Sequence, residues 1–244
     1  MQAGIHIVGR NVLDICIIKT MNPIVEEMQC YYERRAPVYD ASMGYHVDDI
    51  AEKLAPVIQL LREQMRDKQA LEIACGPCFW TDHVSKTAAS ILATDFNGST
   101  LDQARQKNLD WDRITLQVAD AYNLSAVTRK FHAAFAVDWF AHVPRSCFHG
   151  FLRGLHEKLE PGSRVVFCDQ LPYPRSLTGI YDEEGNHLQE RTLPDGSRYR
   201  IIKHFLSDDE ITSVFSPYTN SVEISRFPGC RRIVVSYLYC GDKR

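Results

Sequence analysis

The chain has 244 residues, of which 45% are hydrophobic and 24% charged, and its net charge is −3. This composition is typical of a soluble protein, and the length suits one α/β domain. The near balance of charges argues against a nucleic-acid groove, because phosphate binding needs a clustered excess of Lys and Arg. We therefore expect a small-molecule substrate, no nucleic-acid or membrane partner, and a monomer or homodimer.

Residues 1–20 carry no recognisable targeting signal. The apolar run Ile15-Cys-Ile-Ile18 is too short for a membrane span or for the hydrophobic part of a signal peptide. We interpret residues 1–20 as a disordered or non-native extension, and we expect one domain over residues 21–244.

The cysteines indicate a reducing compartment. There are eight, and they lack the density of a secreted disulfide scaffold. Cys75 and Cys78 form a close pair, but neither has further Cys or His partners at the spacing of a zinc site. We expect reduced thiols, no metal and a cytoplasmic location.

A helical cap is predicted over residues 21–66. Helical periodicity covers residues 23–36 and ends before Pro37, as helices tend to do. A second helix is predicted over residues 47–65, where Pro56 should kink it or split it in two.

Residues 67–170 alternate between strand-like and helical patterns. Five apolar runs are typical of strands, and they cover residues 70–74, 90–94, 114–118, 131–137 and 163–169. A turn at residues 159–162 should lead into the last of them. The first four strands each carry an acid at or near the end, and these acids are Glu72, Asp95, Asp120 and Asp138. A doubly wound sheet collects such ends along one edge, where ligands bind.

The pattern changes after the fifth strand. Turn signals flank residues 188–193 and 197–203, which predicts a β-hairpin within an insertion over residues 171–206. Residues 207–244 begin with a capping box at Ser207 and end in two strands. The expected fold is α/β: a Rossmann-like seven-stranded sheet, mostly parallel with an antiparallel last strand, with an N-terminal helical cap and the inserted hairpin.

The segment Leu71-Glu-Ile-Ala-Cys-Gly-Pro-Cys-Phe-Trp80 has two interpretations. Cys75 and Cys78 at a helix N-terminus could form a redox dithiol. The same residues could form the turn after the first strand of a nucleotide-binding unit. Asp95 follows Glu72 by 23 residues and Asp120 follows Asp95 by 25, which fits one helix plus one strand each time. A dithiol needs none of these acids, so the spacing favours the nucleotide-type turn.

These residues resemble a class I S-adenosylmethionine-dependent methyltransferase of the small-molecule group that includes the ubiquinone/menaquinone-type enzymes. The first family motif is acid-x-Gly-x-Gly-x-Gly, and it corresponds here to Glu72-x-Ala74-x-Gly76-x-Cys78. Cys78 places a side chain where the family backbone faces the methionine part of the cofactor. We therefore expect Cys78 to affect cofactor affinity.

The resemblance implies a set of residues that bind S-adenosylmethionine. They are Tyr32, Tyr39, Glu72, Ala74, Gly76, Asp95, Phe96, Asp120, Ala121 and Asp138. Asp95 should accept hydrogen bonds from the ribose hydroxyls, which is the usual role of an acid at the end of the second strand. Asp120 and the backbone of Ala121 should meet the adenine. Glu72 could bind either loop amides or the amino group of the ligand.

Aromatic side chains could contact the sulfonium cation or could simply pack in the core. Besides the tyrosines above, the candidates are Phe79, Trp80, Trp139 and Phe140. Trp139, His142 and Tyr173 are candidates for the acceptor site. His142 could act as a base, or it could be a loop histidine that bonds to the backbone. Lys203 and His204 are less favoured bases.

The expected reaction is methyl transfer to an O, N or C nucleophile of a small molecule. We expect this acceptor to bind between the cap, the loop after Asp138 and the hairpin. A catalytically silent subunit that binds a ligand or a partner stays open as an alternative. A nicotinamide-dependent oxidoreductase would expect Gly-x-Gly-x-x-Gly, which residues 74–79 lack. A dithiol oxidoreductase through Cys75 and Cys78 is less favoured still.

Overall fold

A computed structural model describes residues 23–47 and 49–241 of the chain. The extension predicted over residues 1–20 lies outside these residues. The described strands, in chain order, are β1 (Gln69–Ile73), β2 (Ser90–Asp95), β3 (Ile114–Val118), β4 (Phe131–Val137), β5 (Leu159–Gln170), β6 (Leu188–Thr192), β7 (Arg198–Ile202), β8 (Val222–Phe227) and β9 (Arg232–Leu238). The described α-helices are α1 (Pro23–Arg35), α2 (Tyr39–Met43), α3 (Ile50–Met65), α4 (Phe79–Ser85), α5 (Gly98–Arg105), α6 (Phe148–His156) and α7 (Asp208–Phe215).

Seven of these strands form one sheet in the order β3-β2-β1-β4-β5-β9-β8. Six of them share one direction, and β9 runs antiparallel to both of its neighbours. The order reverses between β1 and β4, which is the switch point where ligands bind in such sheets. The predicted Rossmann-like fold with an antiparallel last strand is confirmed.

Each face of the sheet has its own apolar core, because the central strands are buried on both sides. In β1, Leu71 and Ile73 face the core that α6 and α7 cover. Ala70 faces the opposite core, which α3 and α4 cover. Neighbouring strand ends are therefore held in fixed positions at one edge of the sheet.

Two local predictions need correction. The helix α3 is continuous from Ile50 to Met65, so Pro56 does not split it. Pro56 is exposed, which leaves the carbonyl that loses its hydrogen bond on the solvent side, where water can satisfy it. The predicted turn at residues 159–162 belongs to β5, whose pairing with β4 jumps from Leu159 to Arg164.

The inserted hairpin is confirmed as a separate two-stranded sheet of β6 and β7. It packs on α1, and together these three elements are called the roof. The roof has its own small core, formed by Ile24, Val25, Met28 and Tyr31 of α1 with Leu188, Leu193, Ile201 and Ile202 of the hairpin.

Exposed ion pairs join α1 to the hairpin. The Glu27 carboxylate accepts hydrogen bonds from Nε and Nη2 of Arg200 at 3.1 and 3.0 Å. Arg34 lies 2.6 Å from Asp195 in the turn of the hairpin. The hairpin and α1 therefore form one packed unit.

Candidate functional site

The loops that follow β1 to β4 meet at the edge of the sheet and form a cavity of about 90 Å³. These strand-end loops comprise residues 74–78, 95–98, 119–123 and 138–143. The roof covers them from above. Of the residues predicted from the sequence, those that line this first cavity are Tyr32, Tyr39, Ala74, Gly76, Asp95, Phe96, Asp120, Ala121, Asp138, Trp139 and His142.

The turn after β1 has left-handed backbone at three alternate positions. The φ angles are +53° at Ala74, +57° at Gly76 and +65° at Cys78. Only glycine adopts this region without steric cost, so Ala74 and Cys78 are strained where the family motif has glycine. A Cβ at Gly76 would lie 3.9 Å from the ring of Tyr39, which therefore sits directly above the turn.

The side chain of Cys78 points into the core and does not line the first cavity. Cys78 is fully buried, and its Sγ lies 3.9 Å from that of Cys75, which is 7% exposed. Burial and the Cys78 thiol raise the pKa of Cys75 well above its usual value. The hydrogen bond with the Cys75 thiol lowers the pKa of Cys78, but Cys78 has no exposed surface. A dithiol enzyme needs a low-pKa thiol that its substrate can reach, so the burial of both thiols argues against this role. Within the described ranges, no group of three His, Cys, Asp or Glu residues is placed to hold a metal ion.

Asp95 connects the ends of β1 and β2. Its Oδ2 accepts a hydrogen bond from the Gly76 amide at 3.0 Å, and its Oδ1 accepts one from the Asn97 amide at 2.9 Å. Burial raises the pKa of Asp95 to about 6, although these amides act in the opposite direction. The Phe96 amide also bonds to this carboxylate, so three of its roughly four acceptor positions are used and one is left for a ligand hydroxyl.

Glu72 does not line the first cavity. It is 1% exposed, and its Oε2 accepts a hydrogen bond from Oγ1 of Thr81 in α4 at 2.6 Å. Burial raises the pKa of Glu72 well above its usual value. The carboxyl group therefore joins α4 to β1 through Thr81 rather than through the loop amides considered from the sequence, and its role toward the amino group of the ligand stays a prediction.

Tyr173 also lies outside the first cavity. Its ring is 41% exposed and packs under the guanidinium of Arg231 at 5.0 Å. The aromatic residues Phe79, Trp80 and Phe140 do not line the cavity either, and they pack against other rings. Of the acceptor-site candidates, only Trp139 and His142 are brought to the cavity.

Three buried polar atoms of the cavity lining have no hydrogen-bond partner among the described residues. They are Oη of Tyr122, Oδ2 of Asp138 and Nε1 of Trp139. Two can donate and one can accept, so a polar ligand in this cavity would satisfy groups that are otherwise costly to bury. Sequence reasoning missed Tyr122, although its position two residues after Asp120 was a usable signal.

His142 links the roof to the strand-end loops. Its Nδ1 lies 2.5 Å from the carbonyl oxygen of Ile202 in β7, and its Nε2 lies 3.2 Å from the hydroxyl of Tyr32 in α1. A carbonyl can only accept, so Nδ1 carries the proton and Nε2 accepts from Tyr32. Burial lowers the pKa of His142 well below its usual value, and Lys203 adds to this effect. His142 is therefore neutral, and at the wall of the cavity its Nε2 lone pair is used by the Tyr32 hydroxyl.

Asp138 is held by cations from both sides. Nη1 of Arg232 lies 2.6 Å from its Oδ1, and Nζ of Lys203 lies 4.0 Å from the same atom. Burial raises a carboxyl pKa, but the two cations outweigh it, and the pKa of Asp138 is lowered. Sequence reasoning missed Arg232, because its contact with Asp138 spans 94 residues.

The comparisons with known proteins agree with this geometry. Residues 70–162 match the family described as Methyltransferase domain. No curated protein matches the chain in sequence. None of the described helices has the length and hydropathy of a membrane span.

Several solved structures resemble this fold. The DhpI–SAM–HEP complex is 28% identical, with a TM-score of 0.71 over 87% of this chain and 96% of that chain. The DhpI–SAH complex is 26% identical, also with a TM-score of 0.71, over 88% of this chain and 97% of that chain. The glycopeptide N-methyltransferase MtfA, complexed with sinefungin, is 15% identical and shares the fold alone, with a TM-score of 0.58 over 78% of this chain and 89% of that chain.

Residues 70–162 form a methyltransferase domain, and the sheet order and the likeness to the DhpI complexes support a class I S-adenosylmethionine-dependent methyltransferase. The narrower resemblance to ubiquinone/menaquinone-type enzymes stays a prediction.

Proposed function

We propose that the first cavity binds S-adenosylmethionine and that the protein transfers the methyl group to a small-molecule acceptor. The observation that carries this proposal is the set of three unpartnered polar atoms beside the Asp95 carboxylate, at the switch point of the sheet. A nucleoside-type ligand offers both donors and acceptors and can satisfy all of them.

In this proposal, each strand-end loop binds one part of the cofactor. The remaining acceptor position of the Asp95 carboxylate accepts from a ribose hydroxyl. Asp120 and the backbone of Ala121 meet the adenine, supported by the position of both at the end of β3. Ala74 and Gly76 line the cavity beside Tyr39 and lie along the methionine part. Glu72 acts indirectly, by fixing α4 under the turn.

The cofactor supplies a methyl group on a positively charged sulfur, so the residues of the protein mainly orient the reactants and exclude water. Trp139 and Tyr32 close the cavity beside His142, which is 6% exposed. We propose that His142 takes the acceptor proton through Tyr32 where the acceptor is protonated: the Tyr32 hydroxyl receives that proton while it passes its own to Nε2. The bond between Tyr32 and Nε2, the place of both residues in the cavity lining and the unprotonated state of His142 support this role.

A small acceptor is favoured by the enclosure of this region. The roof covers the strand-end loops, and the net charge of −3 does not favour a nucleic-acid substrate. A cytoplasmic location is also part of the proposal. The seven cysteines in the described ranges are all free thiols, which supports a reducing compartment.

Titration calorimetry with S-adenosylhomocysteine tests cofactor binding. The wild type should bind, and Asp95→Ala should lose about 10- to 100-fold in affinity, because the ribose loses a charged acceptor. Asp102→Ala, which removes an exposed acid of α5, is the matched control and should not change the affinity. If the wild type does not bind S-adenosylhomocysteine, the chain is a silent relative and the proposal fails.

A second experiment tests the acceptor class. Wild-type protein is incubated with S-adenosylmethionine and a protein-free metabolite extract, and mass spectrometry then searches for compounds that gain one methyl group. Asp95→Ala at the same concentration is the blank. If methylation is found only when macromolecules are added back, the small-molecule proposal is wrong.

A further inference from the structure

A second cavity lies on the other side of the loop after β4. Its volume is about 260 Å³, and it shares no lining residue with the first cavity. The partition between the two is the short helical turn Phe140–His142: His142 lines the first cavity, whereas Phe140 and Ala141 line the second.

Two buried polar atoms in the lining of this second cavity have no hydrogen-bond partner among the described residues. They are Oδ1 of Asp169, at the end of β5, and Nε2 of His204, which follows the hairpin. His204 is 3% exposed. Buried polar groups are nearly always paired in native proteins, so two orphans in one cavity point to a ligand.

Both orphan atoms are acceptors. Nδ1 of His204 donates a hydrogen bond to the carbonyl of Val143, and burial lowers the pKa of His204 to about 4. The neutral ring carries its one proton on Nδ1, so Nε2 is an acceptor. Asp169 uses its Oδ2 to accept from the Ala141 amide at 3.2 Å, which leaves Oδ1 for a ligand. A ligand that satisfies both atoms must bring hydrogen-bond donors.

Among the residues that line this cavity, Asp169 is the one acid. Burial raises the pKa of Asp169 to about 6, although Lys203 and Arg232 act against this rise. Lys203 and Arg232 do not line the cavity, and Arg226, which does, is already paired with Asp208, so Asp169 is the lining charge that has no ion-pair partner in the lining. Gln170 also lines the cavity, but an amide can donate or accept and does not decide the charge.

The rest of the lining is apolar and largely aromatic. Phe140, Phe167, Phe205 and Phe215 contribute rings, and Ile211 and Ile233 contribute aliphatic side chains. Aromatic faces attract a desolvated cation and also bury an apolar body. This combination rejects an anion and disfavours a fully polar molecule.

We propose that this second cavity is a binding site for a small apolar amine, whose ammonium group donates hydrogen bonds to Asp169 and His204 while its ring or chain lies among the phenylalanines. The site is separate from the cofactor cavity, and its occupation does not depend on methyl transfer.

The binding of 2-phenylethylamine tests this site. Calorimetry and saturation-transfer NMR measure that binding. The amine should bind with a dissociation constant below about 1 mM, as expected for a compact ligand in a preformed cavity. The neutral analogue 2-phenylethanol should bind at least about tenfold more weakly, and phenylacetate should not bind. If the three compounds bind equally, or if the amine does not bind, the proposal is overturned.

Two variants place the binding in the second cavity. Asp169→Asn keeps an oxygen for the Ala141 amide but replaces the acceptor with a donor, and it should weaken amine binding at least about tenfold. Ile233→Phe fills the cavity and should abolish binding. Asp209→Asn, in the exposed first turn of α7, is the control and should leave binding unchanged. Unaltered binding in both cavity variants, with unchanged melting curves, would place the amine elsewhere.

A competition experiment tests the separation of the two sites. The amine should bind equally well with and without saturating S-adenosylhomocysteine, because the two linings share no residue. Direct competition would show that the amine enters the first cavity and would overturn the assignment. If S-adenosylhomocysteine does not bind at all, the proposed function fails while the amine experiment remains decisive for the second cavity.

Discussion

The strand-end loops and the roof build the two sides of the same cavity in different ways. The strand-end loops are held by contacts local to the sheet, such as the bonds of Asp95 to Asn97 and Gly76, which span 2 and 19 residues. The roof is joined to them by distant contacts: His142 reaches Tyr32 across 110 residues and Ile202 across 60. The first side is fixed by contacts close in the chain, whereas the second depends on contacts between distant residues, and from this difference we predict that the roof opens separately.

Asp138 is where the two sides meet, and substitution of its main partner should have the largest effect. Arg232→Met should lower the free energy of unfolding by about 3–5 kcal/mol, because it leaves a buried carboxylate with only the more distant Lys203. Chemical denaturation measures this loss. Arg226→Met removes an exposed arginine from a pair with Asp208 and should cost less than about 1 kcal/mol. Equal losses in the two variants would mean that the buried pair has no special role.

The independence of the roof can be tested at His142. His142→Ala should raise amide hydrogen exchange in α1, β6 and β7 by about 5- to 150-fold, because the buried Ile202 carbonyl loses its partner at a cost of about 1–3 kcal/mol. Exchange in β1 and β4 should stay unchanged. His149→Ala, which removes a histidine bonded to Tyr218, should not affect the roof. Faster exchange throughout the sheet would contradict the view that the roof opens separately.

Binding on the strand-end side should depend on pH through Asp95. Its pKa is about 6 in the folded protein and 3.8 ordinarily, so the carboxylate that accepts from the cofactor is lost below pH 6. Affinity for S-adenosylhomocysteine should fall by up to about tenfold between pH 7 and pH 5. In Asp95→Asn the affinity should be lower but nearly constant over this range. A similar pH dependence in the variant would assign the titration to another group.

The raised pKa of Asp95 also makes the stability of the fold depend on pH. Stability should fall as pH rises, whereas cofactor affinity should increase. Between about pH 4 and pH 6 the folded protein binds the Asp95 proton more tightly than the unfolded chain does, so the free energy of unfolding decreases as pH rises. Asp95→Asn should remove this part of the slope. Asp169, whose pKa is also raised to about 6, should keep a similar slope in the variant.

The smallest expected effect concerns the backbone of the turn after β1. Ala74→Gly should raise the free energy of unfolding by about 1 kcal/mol, since it relieves a left-handed conformation that alanine adopts at a cost. Ala93→Gly, in the interior of β2, should have the opposite sign, with a loss of about 0.5–1 kcal/mol. Denaturation of both variants measures the difference. If Ala74→Gly also destabilises, the turn is not strained at this position.

The sequence alone was sufficient to predict the sheet, the hairpin and the polar strand ends. Strand and helix periodicity repeat locally, and the acid at the end of β2 marks the ligand edge wherever a doubly wound sheet forms. The capping box at Ser207 and the hairpin turns are likewise local signals, and both are confirmed. The predicted roles of the cavity residues in binding remain proposals.

Tertiary structure alone decided which of these residues share a cavity. Glu72 lies at the end of β1 as predicted, but its side chain faces α4, and Tyr173 packs under Arg231 away from the cavity. The partners of Asp138 and His142, and the whole second cavity, arise from contacts between residues far apart in the chain. Periodicity shows which face of an element is buried, but it does not show which distant side chain will meet it, because that depends on how the elements pack.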